Sequence, residues 1–463
     1  MKNKMYGFED IDSIEYDDVK QAYVDHINPV KAKLLSVFKA GKVIIDRAEG
    51  AYIFERNGNK ILDLTGGYGV LSHGHNHPRI LKARKYCIEK QKLEVNKNYM
   101  SQGMAALCKN LSAVLPLSLT KYFFPNSGSE SIDMAMRICL INARGQKNKN
   151  VFLASVNSFH GKSIGPQALG SSGELETQFA VGINVEYFDI SDIKSLDKYF
   201  KRSDICGVFL EPFSASTMTE VDHSFIQRIK ELSINIKAPL VFDEIYSGWC
   251  KTGPLFNFMR TKIVPDILCF AKSLGGGKSS IAGIAYTNEL SKVFETDKLC
   301  NYLSSTYYGF FEETVTAAEA IKIVIDDRFE QKAYRIESHM KDEAIKLKGG
   351  LELRGRGAFW GLFFDKKLIT KVGDSLARLA KSTLGPGVPD FKKLFAASIA
   401  SYIYTKHNML VGISFGYNTH IIISFNFAFE QAELDAVSEM LADLDRKSGV
   451  SALSKFVVDY LKA

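Results

Sequence analysis

The chain has 463 residues, 46% of them hydrophobic, and 59 basic against 52 acidic residues give it a formal charge of +7. That charge is not gathered into a basic block or an aromatic-interleaved basic stripe, which argues against nucleic-acid binding. No apolar run approaches the roughly 18 residues of a membrane span, and the length suits one large globular domain plus a smaller one.

The acidic N-terminus, MKNKMYGFEDIDSIEYDD, carries no apolar leader, and the seven cysteines (Cys87, Cys108, Cys139, Cys206, Cys250, Cys269, Cys300) form no C-x-x-C pair. Both features point to the reducing cytoplasm. Residues 1–40 read as a charged helical arm broken at Asn28-Pro29, and residues 43–64 as short strands with a hairpin turn at Asn57-Gly58. Residues 65–78, TGGYGVLSHGHNHP, form a glycine-rich loop with His73, His75 and His77 at alternate positions. Alternating histidines suit a metal in an extended segment. Here no Cys or carboxylate cluster accompanies them and Pro78 opens a helix, so no metal is expected.

From Lys121, KYFFPNSGSESIDMAMRICLINAR reads as strand, glycine turn and helix. Ser127-Gly128-Ser129 leads into an amphipathic helix with Ile132, Ala135, Met136, Cys139 and Leu140 on one face. Free N–H groups therefore point out of the loop and suit a phosphate, although an ordinary serine N-cap gives the same pattern. Next, VFLASV runs into NSFHG (157–161), and GVFL runs into Glu211-Pro212. Apolar strands alternating with helical stretches indicate an α/β fold on a mostly parallel sheet, with ligands expected at the strand ends.

Residues 239–278 carry the two most informative groups. Asp243 closes one apolar run, and Lys272, 29 residues later, closes the next. A lysine ending a buried strand is desolvated, which lowers its ammonium pKa and frees the amine to attack a carbonyl. Pyridoxal phosphate (PLP) requires such an amine, together with a carboxylate on its ring nitrogen. Two strand-end polar groups facing water would produce the same spacing. GGGKSS (275–280) invites a phosphate-loop reading, yet the first glycine of that motif would fall on Lys272. Residues 305–325 then read as a turn and a long helix. The remainder, from 326, mixes helices with short strands. The expected division is an N-terminal arm and part of a small domain (1–64), a large domain (65–325) and a C-terminal small domain (326–463).

In this order GNKILDL, GHNHP, FFPNSGSE, NSFHG, FLEP, VFDEIYSG and PDILCFAKSLGGG resemble the motifs of the class III PLP-dependent aminotransferases of fold type I, over nearly the whole chain. Within that family the chain resembles the ornithine and diamine aminotransferases. The resemblance implies a large domain with a mostly parallel sheet and a smaller α/β domain from the two chain ends. It makes Lys272 the Schiff-base lysine and proton shuttle, and Asp243 the partner of the ring nitrogen. Ser127, Gly128 and Ser129 would hold the phosphate, Phe159 would stack on the ring, and Glu211 would support the site from behind. Thr306 would reach the phosphate of the other subunit, so a homodimer is implied. Each has a plainer reading too: Phe159 as core, Glu211 as a solvent-facing strand end, Thr306 as a helix N-cap. Decarboxylation, racemisation and aminomutation run on the same scaffold, so the reaction type is less constrained than the cofactor.

Departures from the family pattern bear on the substrate. Tyr246 stands where a glutamine usually meets the PLP phenolate oxygen, and its hydroxyl can substitute. Ile422 stands where a C-terminal arginine grips an α-carboxylate, and Ser216 where ornithine aminotransferase-like members carry the glutamate that masks that arginine. Losing both suggests a substrate without an α-carboxylate in that sub-pocket, since burying an unpaired carboxylate costs several kcal/mol. Arg354 or Arg356 would be a displaced anchor. Tyr68 is the expected specificity residue, with plain loop packing as its alternative, and Gly309-Phe310-Phe311 replaces the family's Gly-Asn-Pro on the dimer side.

Overall fold

A computed structural model describes residues 5–37, 39–95, 98–146, 148–170, 182–296, 299, 301–365, 391–414 and 419–447. Cys300 lies outside the described residues; the other six cysteines are free thiols.

Seven strands form the central sheet, in the spatial order Leu119–Phe123, Gly283–Thr287, Ile267–Phe270, Leu240–Asp243, Ile205–Leu210, Val151–Ser155, Asn184–Phe188. Only Gly283–Thr287 runs against its neighbours. The near-continuous apolar text of the middle strands follows from their place: Ile205–Leu210, Leu240–Asp243 and Ile267–Phe270 are buried at every position, as parallel strands covered on both faces must be. Side chains alternate between two packing layers. Val241, Ile267 and Cys269 meet the helix Gly128–Asn142 on one face, while Leu240, Phe242, Leu268 and Phe270 enter the larger core on the other.

That helix buries Ile132, Ala135, Met136 and Cys139 as its periodicity requires, but Leu140 is 43% exposed and Ile138 is buried instead. The buried arc is centred between Ala135 and Cys139, so Ile138 falls nearer its middle than Leu140 does.

Two smaller sheets draw on the chain ends. Ile45–Glu49, Tyr52–Glu55 and Lys60–Asp63 form an antiparallel meander, and Met409–Leu410 adds a parallel edge beside Lys60–Asp63. Leu351–Arg356, Phe359–Phe364, His420–Ser424 and Gly412–Ser414 form an antiparallel sheet. Leu64 accepts from the Ser424 N–H at 2.7 Å and donates to Leu410, which ties the glycine loop to both C-terminal strands. No helix among the described residues is long and apolar enough to cross a membrane.

Candidate active site

A cavity of about 460 Å³ opens at the carboxyl edge of the central sheet. This is where an open α/β sheet binds its ligands, because the strands end together and the loops diverge. Ser127, Gly128, Ser129, Phe159, Glu211, Asp243, Tyr246 and Lys272 line it. Asp243 pairs in register with Cys269, which sets Lys272 three residues beyond, on the next strand's exit.

Lys272 is half-buried among these groups, and desolvation of its amine pushes the ammonium down to about 7, against the pull of Asp243 and Glu211. Its backbone φ of 50° is left-handed, a conformation that costs a non-glycine residue about 1 kcal/mol or more and persists where packing enforces it. The Nζ lies 3.5 Å from the centroid of the Tyr246 ring.

Asp243 is 5% exposed, and its Oδ2 lies 2.8 Å from His160 Nδ1, with the Ile245 N–H on Oδ1 at 3.0 Å. Burial disfavours the His160 imidazolium, but the bond to Asp243 and its charge outweigh burial and raise the pKa. The buried Glu211 accepts the Phe159 N–H at 3.0 Å and so holds the loop that carries the phenyl ring; burial raises its pKa. The neighbouring Glu244 has a different task. Its carboxylate accepts the N–H groups of Asn257 and Phe258 at 2.5 and 2.8 Å and the Ser247 hydroxyl, closing the turn behind Asp243.

The helix Gly128–Asn142 starts at the cavity wall. The Ser127 hydroxyl caps it by accepting from the Glu130 N–H, and the Glu130 carboxylate returns to the Asn126 N–H and the Ser127 hydroxyl. The Gly128 and Ser129 amides belong to the first turn, where an anion is favoured. A Cβ on Gly128 would stand 3.0 Å from Ile245. The Ser129 hydroxyl accepts the Lys162 N–H at 3.1 Å, and a Cβ on Gly161 would clash with it.

Three expected residues stay outside the cavity lining. Thr306 is exposed in a turn of this chain. Tyr68 is 51% exposed and belongs to a run of left-handed residues, Gly66, Gly67, Tyr68 and Gly69. Ile422 is 6% exposed and packs with Phe213, Met218, Phe359, Phe363 and the edge of Tyr246. Tyr68 and Ile422 converge all the same: a Cβ on Gly412 would lie 3.1 Å from Ile422 and 3.6 Å from Tyr68. Both candidate replacement cations are engaged. Arg354 pairs with Glu352 through two bonds of 2.6 Å, and Arg356 bridges Glu220 and Glu337 at 3.0 Å each.

Sequence reasoning missed four groups. His160 stood in a quoted motif, but nothing in the text pairs it with a carboxylate 83 residues away. Lys251 is fully buried with its Nζ on Phe425 O at 2.9 Å and Ser424 Oγ at 3.3 Å, and desolvation pushes it down to about 7. His75 pairs with Asp63 at 2.8 Å, and the same carboxylate holds Thr65 at the start of the glycine loop. The three histidines diverge rather than gather, His73 to Ala320 O and His77 toward Asp327. No group of three metal-ligating side chains is found among the described residues. Of residues 275–280, Ser279 and Ser280 line the same cavity.

A half-buried lysine and a buried aspartate on adjacent strand exits, beside a helix N-terminus, in a seven-stranded sheet with one reversed strand, define a PLP-dependent transferase of fold type I. Residues 37–389 match the model of the class III aminotransferases, and the chain belongs to that family. The acetylornithine aminotransferase of Methanopyrus kandleri is 27% identical over 333 residues, 71% of this chain and 82% of that one. The putrescine aminotransferase of Pectobacterium atrosepticum is 28% identical over 265 residues, 56% of this chain and 55% of its own. The ornithine aminotransferase structure from Toxoplasma gondii superposes with a TM-score of 0.77 at 19% identity, over 96% of this chain and all of that one. The chain is a PLP-dependent aminotransferase.

Proposed function

We propose that this aminotransferase takes, in at least one half-reaction, an amine or carbonyl compound with no α-carboxylate at the Ile422 position. The observation that carries the reading is the apolar packing of Ile422 against Phe359, Phe213 and Tyr246, with Arg354 and Arg356 both neutralised by carboxylates. A carboxylate placed there would lose its hydration without gaining a partner. Putrescine, the substrate named for the Pectobacterium relative, is a diamine of this kind.

The residues suit the cofactor. The first-turn amides of Gly128 and Ser129, with the Ser127 and Ser129 hydroxyls, would hold the phosphate, and Phe159 would cover the ring. The buried Tyr246 hydroxyl has no well-formed hydrogen bond, and so has donor capacity for the phenolate oxygen. Pyridoxal phosphate supplies an aromatic electron sink for the pair left when the donor's Cα–H bond breaks. Asp243, hydrogen-bonded to His160, would serve the ring nitrogen, and Glu211 steadies the Phe159 loop. Lys272 takes the Cα proton on its Nζ as a neutral amine and gives it back as an ammonium; a pKa near neutrality suits both acts.

In this reading the enzyme is a cytoplasmic homodimer with boundaries near 64 and 325, and Thr306 serves the partner's phosphate. Its exposure beside Tyr302 and Tyr307, 47% and 57% exposed, supports that placement. The test is the visible spectrum of the purified full chain, wild type and Lys272→Ala, on adding L-glutamate and then putrescine. A Lys272-dependent band that bleaches with putrescine and not with glutamate is expected. Bleaching by glutamate and not by putrescine overturns the carboxylate argument, and a chain that stays colourless with added PLP overturns the site assignment.

A further inference from the structure

We propose that the face of the Tyr246 ring is the seat of the Lys272 ammonium, so that Tyr246 positions the proton-shuttling amine whenever that amine is free. The inference rests on Lys272 being the shuttle of the proposed function and adds a second residue to it.

The geometry is specific. Nζ stands 3.5 Å above the ring centroid, well within the range at which an ammonium is drawn to the electron-rich face of an aromatic ring. The ring cannot easily turn away. It stacks on Phe359 with centroids 4.1 Å apart and planes 24° from parallel, and a Cβ on Gly69 would touch both the Tyr246 ring and the Lys272 chain, at 3.2 and 3.3 Å. Phe359 behind, the glycine loop above and Lys272 in front thus fix the aromatic plane.

The other groups that act on the amine are Asp243, engaged by His160, and Glu211, which favour its charge, and Lys251, which opposes it. A second carboxylate in contact would hold the proton too firmly for it to be returned. An aromatic face attracts the ammonium while accepting no proton from it. It is therefore a partner that steadies the acid form without competing for what that form must deliver. The glutamine that the family usually places here has no such face, which makes the tyrosine a change of mechanism at this position and not only a change of hydrogen-bond donor.

The experiment reads Lys272 itself, in the full chain stripped of cofactor. Acylation of Lys272 by an amine-reactive reagent is followed against pH by mass spectrometry of the peptide that carries it, in wild type, Tyr246→Phe, Tyr246→Leu and Tyr246→Gln. Removing a desolvated aromatic face is expected to lower the midpoint by about one pH unit in the Leu and Gln variants. Tyr246→Phe, which keeps the face and loses the hydroxyl, is expected to titrate with the wild type. Superimposable Leu, Gln and wild-type curves overturn the inference, as does a Phe variant that shifts as far as Leu. Should Tyr246→Leu fail to fold, the Gln variant carries the comparison alone, since glutamine is the residue the family accommodates there. Neither result touches the assignment of Lys272, which is decided separately by the Lys272-dependent band.

Discussion

The polar cavity and the apolar cluster that packs against Tyr246 beside it are built on different terms. On the cofactor side, Asp243, Glu211, Lys272 and the Gly128–Ser129 turn are polar groups at the exits of a rigid sheet, each engaged by a neighbour: His160 for Asp243, the Phe159 N–H for Glu211, Lys162 for Ser129. On the substrate side, Ile422, Phe359, Phe213 and Met218 come from short strands and turns outside that sheet and offer no charge. Electrostatics set the first side and shape sets the second. With the roles proposed above, the chemistry would be confined to groups that cannot move independently, and selection among amines would be left to packing, where one methylene changes affinity by only about 1–3 kcal/mol.

The strongest way to break this contrast is on the polar side. Asp243→Asn keeps the shape and removes the charge; turnover is expected to fall by about 10²–10³-fold with little change in melting temperature. A fall of less than tenfold would mean that the ring nitrogen is served by another group. On the apolar side, Ile422→Arg is expected to create a carboxylate anchor, raising the rate of the glutamate half-reaction on the order of tenfold, as a charged hydrogen bond should. It would also lower stability by about 3 kcal/mol, because the new guanidinium is buried beside Phe359. Unchanged turnover of every amino-acid donor would show that this wall does not read the substrate.

The smallest effect concerns Lys251, buried against Ser424 and Phe425. Its folded pKa, about 7, is below the unfolded value of 10.5. Between those limits the unfolded chain binds more protons, so this lysine makes stability rise with pH, by up to about 1.4 kcal/mol per unit. Wild type is expected to gain on Lys251→Met in urea unfolding as the pH rises from about 7 to about 9; parallel curves would mean that the buried amine stays charged.

The sequence disclosed the polar side far better than the apolar one, for a physical reason. Asp243 and Lys272 each end an apolar run, and a strand of four to six buried residues can carry a polar group only where it leaves the sheet. The Ser127 turn was legible because an N-cap and a glycine mark a helix start. His160 and Lys251 left no such trace: their partners, Asp243 and the Ser424 hydroxyl with the Phe425 carbonyl, are 83 and about 173 residues away. The convergence of Tyr68 with Ile422 was hidden in the same way, because it passes through Gly412, a residue with no side chain to announce a contact. Leu140 was misplaced by a periodicity that fixes the centre of a buried arc better than its edge.

The reversed strand Gly283–Thr287 has a last consequence. Because it returns beside Ile267–Phe270 instead of crossing over, Lys272 and the Ser279–Ser280 rim sit on one short connection between adjacent strands. An insertion or deletion that reshaped that rim would shift the amine with it, so this wall is closed to gradual diversification. With the substrate role proposed for them, new substrates would be more readily acquired through Tyr68 and Ile422, which lie outside the cavity lining, come from separate segments and do not carry the reactive nitrogen.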